Sequence, residues 1–257
     1  MTVFYFSATG NSLAVAKRIG GTLISIPQVA DTAGLNYSDD VIGLIVPVYA
    51  FTTPCIVKRF LKKVRWQADY VFAIGTHGDR YGGFCTDLAK FCQKRKLRLD
   101  YAATLKMVDN ALIGYEIAEQ IRTLPSKRVD EQFTAIAADI AARKRFIKPM
   151  LQSEKRRNRQ IKMLRPLIMN PRIGRKMIRA DAKCTRCGVC AAVCPNGNIA
   201  VTETVKIGKR CEMCGGCVHN CPANALHQRG EKSAARWRNP EVSLKELIEA
   251  NNREERR

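Results

Sequence analysis

Long apolar runs are missing from this chain of 257 residues: none approaches the roughly 20 residues that a membrane-spanning helix needs, so no transmembrane segment is expected. Also missing are the Gly-Lys-Ser/Thr of a P-loop and the three-glycine dinucleotide fingerprint. Nothing at the start resembles a signal peptide, because Met1 leads straight into an apolar strand and a glycine loop. A secreted disulfide framework is therefore not expected, and no acid-base pair announces a substrate. Acidic residues are scarce, 23 against 44 Lys and Arg, leaving a net charge of +21. What remains is a chain whose hydrophobic content, 46%, is ordinary for a globular protein and whose length allows two domains.

Cysteine is what the chain has in pattern. Cys184-x2-Cys187-x2-Cys190-x3-Cys194-Pro195 recurs as Cys211-x2-Cys214-x2-Cys217-x3-Cys221-Pro222. A four-cysteine zinc site explains neither the third cysteine of each run nor the proline after the fourth. The doubled spacing is that of a pair of cubane iron-sulfur clusters, and in two-cluster ferredoxins the fourth cysteine crosses over. On that rule one cluster takes Cys184, Cys187, Cys190 and Cys221, and the other takes Cys211, Cys214, Cys217 and Cys194. The stretch after each fourth cysteine reads as a short helical turn, which would set Cys194 and Cys221 at helix starts with backbone N–H groups available to sulfur. Cys55, Cys85 and Cys92 read as small apolar residues without a role.

The N-terminal half has a different signature. Thr2 to Phe6 is an apolar strand that feeds into Ser7-Ala8-Thr9-Gly10-Asn11-Ser12, after which helical periodicity begins. A hydroxyl- and glycine-rich loop between a strand and a helix start presents unpaired N–H groups at the positive helix end, a cradle for the phosphate of a mononucleotide. Further strands are expected at Val41 to Pro47, Tyr70 to Gly75 and Leu99 to Met107, with helices between them and a last one from Ser126 to Phe146. Ligands of such a parallel sheet bind at the carboxyl ends of its strands.

Ser-Ala-Thr-Gly-Asn-Ser resembles the flavodoxin phosphate loop, and the chain as a whole, with its tail Trp237-Arg238-Asn239-Pro240-Glu241-Val242-Ser243-Leu244, is similar to the family of flavodoxin-ferredoxin fusions. The resemblance implies a flavodoxin-like, doubly wound α/β domain with a five-stranded parallel sheet in the order 2-1-3-4-5, followed by an α+β ferredoxin domain. It implies FMN and two 4Fe-4S clusters as cofactors. Flavin contacts would then come from Ser7 to Ser12, from Pro47, Val48, Tyr49 and Ala50, and from Thr76, His77, Gly78, Tyr81, Gly82 and Gly83. Tyr49 is the first candidate to stack on the ring and Tyr81 the second, since an aromatic face makes a flat apolar wall. His77 and Asp79 are candidates to hydrogen-bond its edges.

The expected organisation is a flavodoxin-like domain at 1–146, a connector at 147–180, a ferredoxin domain at 181–230 and a tail at 231–257. Residues 143–180 hold 14 basic residues and one acidic, against 17 and 13 in residues 1–142 and 13 and 9 in residues 181–257. This basic segment, interleaved with Ile161, Met163, Leu164, Leu167, Ile168 and Met169, suits docking between the domains or recruitment of an acidic redox partner. A nucleic acid or an anionic membrane surface would suit the charge equally. The functional expectation is electron transfer between clusters and FMN, as a cytoplasmic redox carrier or a flavin-dependent oxidoreductase acting on a small-molecule acceptor. The alternative is a redox sensor or scaffold that binds a nucleic acid or protein.

Overall fold

The structure is a computed structural model that describes residues 1–252; the last five residues of the expected tail lie outside the described residues. Six parallel strands form the main sheet: β1 (Thr2–Tyr5), β2 (Thr22–Ser25), β3 (Val41–Pro47), β4 (Tyr70–His77), β5 (Tyr101–Lys106) and β6 (Phe146–Ile147). Their order is 2-1-3-4-5-6, the flavodoxin-like doubly wound order with one strand more than expected. Alternate residues of β1 serve opposite cores: Phe4 and Phe6 join one apolar cluster, Val3 and Tyr5 the other. A sheet buried on both faces needs this near-continuous apolar sequence.

The additional strand corrects the expected helix from Ser126 to Phe146. The helix runs only over Val129–Ala141, because Arg143 takes a left-handed φ of 49° and turns the chain. Phe146 and Ile147 then pair with Tyr101 and Ala102 along the open edge of β5. Both the helix and this strand use apolar residues that fit one helical period, so periodicity alone runs them together.

The cysteine repeat is a structural repeat of 27 residues. Strands Ile178–Ala180 and Val205–Ile207 open its two copies, short helices Val189–Ala192 and Gly216–His219 follow, and strands Ile199–Val201 and Leu226–Gln228 close them. The closing strand of the first copy pairs antiparallel with the opening strand of the second, and the closing strand of the second with the opening strand of the first. Left-handed backbone recurs at matched positions: Arg186 and Met213, Gly188 and Gly215, Gly197 and Asn224. The short helices precede Cys194 and Cys221 instead of starting at them. Gly188 and Gly215 launch each turn from a left-handed cap, and Pro195 and Pro222 prevent its continuation past the fourth cysteine.

The segment after this module returns to the sheet. Trp237 is buried, and helix Leu244–Asn251, opened by a Ser243/Glu246 capping box, packs on the face that holds Val3 and Tyr5.

Candidate functional site

One cleft at the carboxyl ends of β1, β3, β4 and β5 gathers most of the expected flavin contacts. Ser7, Ala8, Thr9, Asn11, Ser12, Pro47, Val48, Tyr49, Thr76, His77 and Gly78 line it. Arg80, Val108, Asp109 and Asn110 complete the wall. Arg80 falls within the expected third loop without standing out, and the 108–110 segment carries no motif; only the closing of the sheet brings it there.

The phosphate loop is built as a cradle. Gly10, at φ 98°, caps helix Asn11–Ile19 with no side-chain cap, so the amides of the first turn have no partner inside the helix. The Ser7 hydroxyl accepts from the Gly10 amide at 3.1 Å, and the hydroxyls of Ser12 and Thr76 lie 2.8 Å apart at the base. Asn110 Nδ2 donates to Thr9 Oγ1 at 2.5 Å. The Asn11 side chain is already committed: its Oδ1 accepts from Trp237 Nε1 at 3.0 Å and from Asn239 Nδ2 at 3.3 Å, and its Nδ2 donates to Val108 O. Asn11 is a tie to the C-terminal segment, not a donor into the cleft.

Two buried polar atoms of the lining side chains lack a hydrogen-bond partner: the Tyr49 hydroxyl and His77 Nδ1. Burial, then the charges of Lys148 and Lys106, pushes His77 down to about 3, so the ring is neutral at neutral pH. Burial holds the Tyr49 phenol well above its ordinary range, with Cys214 and Glu212 adding to the rise. Tyr49 meets Phe6 edge-on at 6.2 Å, within a hairpin turn in which Ala50 and Phe51 take left-handed φ.

Tyr81, Gly82 and Gly83 are brought elsewhere. The Tyr81 hydroxyl donates to Pro149 O at 3.1 Å, and Lys148 Nζ sits 4.7 Å from the ring centroid. The amides of Gly82 and Gly83 donate to Glu154 and Asn158 of the connector, each at 3.1 Å. Asp79 lies 3.9 Å from Lys106, outside the cleft lining. Free space in the cleft is about 50 Å³. The chemistry of the phosphate end, free first-turn amides beside the hydroxyls of Ser7, Thr9 and Ser12, fits the phosphate of FMN, and Val48, Tyr49 and His77 line the end where its ring would lie.

Both cysteine sets assemble across the repeat. Cys184, Cys187, Cys190 and Cys221 line one cavity with Val201, Val205 and Leu226. Cys217 shares its electrostatic environment chiefly with Cys214, Cys194 and Cys211. Backbone amides donate to the crossing sulfurs at equivalent places, Asn198 N to Cys194 Sγ at 3.4 Å and Ala225 N to Cys221 Sγ at 3.3 Å. Among the described residues no three His, Cys, Asp or Glu side chains are grouped to hold a single metal ion. Burial pushes the Cys190 thiol up to about 11 and raises Cys214 further. Such thiols need a cationic centre to ionise, which the iron of a cluster would supply. Among the remaining cysteines, Cys85 and Cys92 are buried as apolar residues while Cys55 is exposed.

The second cysteine set adjoins the cleft. Asn220 Nδ2 donates to Ala8 O at 3.1 Å, and Gly216 lies so close to Ala8 that an added Cβ would sit 3.2 Å from its carbonyl oxygen. Glu212, buried between Cys211 and Cys214, accepts from the Ile56 amide at 3.1 Å. Cys214 packs in the same apolar cluster as Val48 and Tyr49. The first set is turned outward, with Cys187 exposed.

Residues 176–222 match the family described as a 4Fe-4S dicluster domain. No curated protein matches the chain. Among solved structures, a putative flavoprotein from Bacteroides uniformis ATCC 8492 is 16% identical, with a TM-score of 0.33 over 48% of this chain and 97% of its own. The Trp repressor binding protein from Bacillus subtilis is 13% identical, with a TM-score of 0.32 over 54% of this chain and 94% of its own.

Proposed function

We propose that the chain is an electron-transfer protein in which a two-cluster module serves an FMN site at the sheet edge. The observation that carries this reading is the placement of the second half of the module at the cleft: Cys214 packs in the apolar cluster of Val48 and Tyr49, and Gly216 and Asn220, at the two ends of the short helix that carries Cys217, meet the Ala8 carbonyl. Cys184, Cys187, Cys190 and Cys221 would hold the outer cluster, which faces a partner, and the other set the inner one. Clusters of this kind supply one-electron chemistry, and FMN, when bound, supplies one- or two-electron chemistry.

The remaining roles belong to the chain. First-turn amides of Asn11–Ile19, with Thr9 and Ser12, would hold the phosphate; Tyr49 and Val48 would wall the ring from water and from the inner thiolates. His77, neutral and lacking a partner at Nδ1, would accept a hydrogen bond from the ring edge. Asn220 and Glu212 fix the distance between the two sites by bonding the phosphate loop and the Ile56 amide.

Anaerobic purification with iron, sulfide and FMN quantified tests the reading, followed by stepwise reduction watched by absorbance and electron paramagnetic resonance. About eight irons with one FMN that exchanges electrons with them supports it. A Thr9→Val/Ser12→Ala variant should then lose flavin and keep both clusters. Two clusters with no flavin under any loading condition would leave an electron carrier or sensor on a flavodoxin-like scaffold.

A further inference from the structure

We propose that helix Lys155–Ile168 is a docking surface for an anionic lipid membrane. The four most exposed large apolar side chains among the described residues all belong to this region: Met163 at 75%, Leu167 at 59%, Leu164 at 52% and Leu151 at 50%. At about 100° per residue, Met163, Leu164 and Leu167 fall within one arc of roughly 100°. The other side of the helix is fixed to the flavodoxin-like domain by Glu154 and Asn158, which accept from Gly82 and Gly83, and by Arg165, 3.7 Å from Asp87. The apolar arc is therefore held outward.

Lys155, Arg156, Arg157, Arg159 and Lys162 are exposed around this arc, and Arg175, Lys176 and Arg179 extend the basic surface beyond the helix. A helix lying in a lipid interface has this composition: Leu and Met on one side, arginine and lysine flanking them, and anchoring by both apolar burial and charge. Nucleic acid would use the charge but not three outward methyl-rich side chains. A protein partner would favour an aromatic centre depleted of charge, whereas this centre holds no aromatic residue and is ringed by arginines. Among the described residues no helix is long and apolar enough to cross a membrane, so the contact would be with its surface. Because Gly82 and Gly83 follow the cleft loop, docking would set the edge of the candidate flavin site beside the lipid.

Co-sedimentation of the full, cluster-loaded chain with vesicles tests this. Vesicles of phosphatidylcholine alone should leave the protein in solution, and vesicles with about one third phosphatidylglycerol should bind it. Met163→Ser/Leu164→Ser/Leu167→Ser should weaken binding roughly 100-fold through lost apolar burial, with iron content and far-ultraviolet circular dichroism unchanged. Arg156→Gln/Arg157→Gln/Arg159→Gln should weaken it by a similar factor at low salt. Absence of binding to the anionic vesicles would overturn the proposal. So would undiminished binding by the serine variant, because the surface would then be a plain polycation suited to nucleic acid or an acidic protein.

Discussion

Replacing Glu212 by alanine should loosen the joint between the cysteine module and the sheet without touching a thiol. Its buried carboxylate accepts from the Ile56 amide at 3.1 Å and from Asn196 Nδ2 at 3.3 Å, and Asn196 in turn takes Arg59 Nη2 at 2.7 Å. Alanine leaves the buried Ile56 amide without an acceptor, a loss of about 2 kcal/mol, and removes a negative charge from a helix start, about 0.5–1 kcal/mol more. Burial disfavours the charge of Glu212 and raises its pKa, so part of that loss is offset. The net expectation is about 2 kcal/mol for Glu212→Ala. Glu212→Gln, which keeps an oxygen for Ile56 and has no charge to desolvate, should lose about 0.5–1 kcal/mol. Anaerobic urea titration followed by circular dichroism measures both, provided the slope stays constant. If glutamine destabilised as much as alanine, or alanine fell within about 0.5 kcal/mol of the parent, the joint would not be carried by this carboxylate.

Cys221→Ser should remove the cluster of Cys184, Cys187 and Cys190 and spare that of its own repeat, seen as loss of about four of eight irons with one cubane signal retained. Gly10→Ala should destabilise by about 1–3 kcal/mol and expose the C-terminal segment to protease, since its φ is 98° and the new Cβ would meet Asn239 Cβ at 2.9 Å. His77, pushed down to about 3 by burial, binds its proton more weakly folded than unfolded, so its share of stability is present above about pH 6.5 and falls as the pH drops toward 3. The parent should lose up to about 2 kcal/mol more than His77→Gln between pH 7.5 and pH 5, checked by paired denaturation curves.

The parts of this protein written in local chemistry were legible in its sequence. The cysteine spacing groups Cys221 with Cys184, Cys187 and Cys190, and these four line one cavity, while Gly188 and Gly215 sit where the backbone turns left-handed. The strand, loop and helix around Ser7 to Ser12 were equally plain, because glycine and small hydroxyl residues end Thr2–Tyr5 and open Asn11–Ile19. Long-range closure was not legible. Thr22–Ser25 is short and half polar, and becomes a strand only through its pairing with Thr2–Tyr5. Val108, Asp109 and Asn110 reach the cleft because β5 ends beside it, and the Asn11 side-chain oxygen is taken because Trp237, 226 residues later, supplies its donor. Tyr49 and Tyr81 occupy similar loops, yet the connector claims Tyr81 and leaves Tyr49 at the cleft, a choice set by Pro149, Glu154 and Asn158.

The exchange of strands between the two 27-residue copies has a consequence for how such a module arises. Each copy lends its closing strand to the other's opening strand, and lends its fourth cysteine to the other's three. A single copy therefore has neither a complete ligand set nor a paired edge, and two identical short chains, associated about a two-fold axis, would have both. Duplication and fusion of the gene for such a peptide would convert that dimer into one chain without altering a single contact, and would free the two halves to diverge: one to face the solvent, the other to press against the sheet.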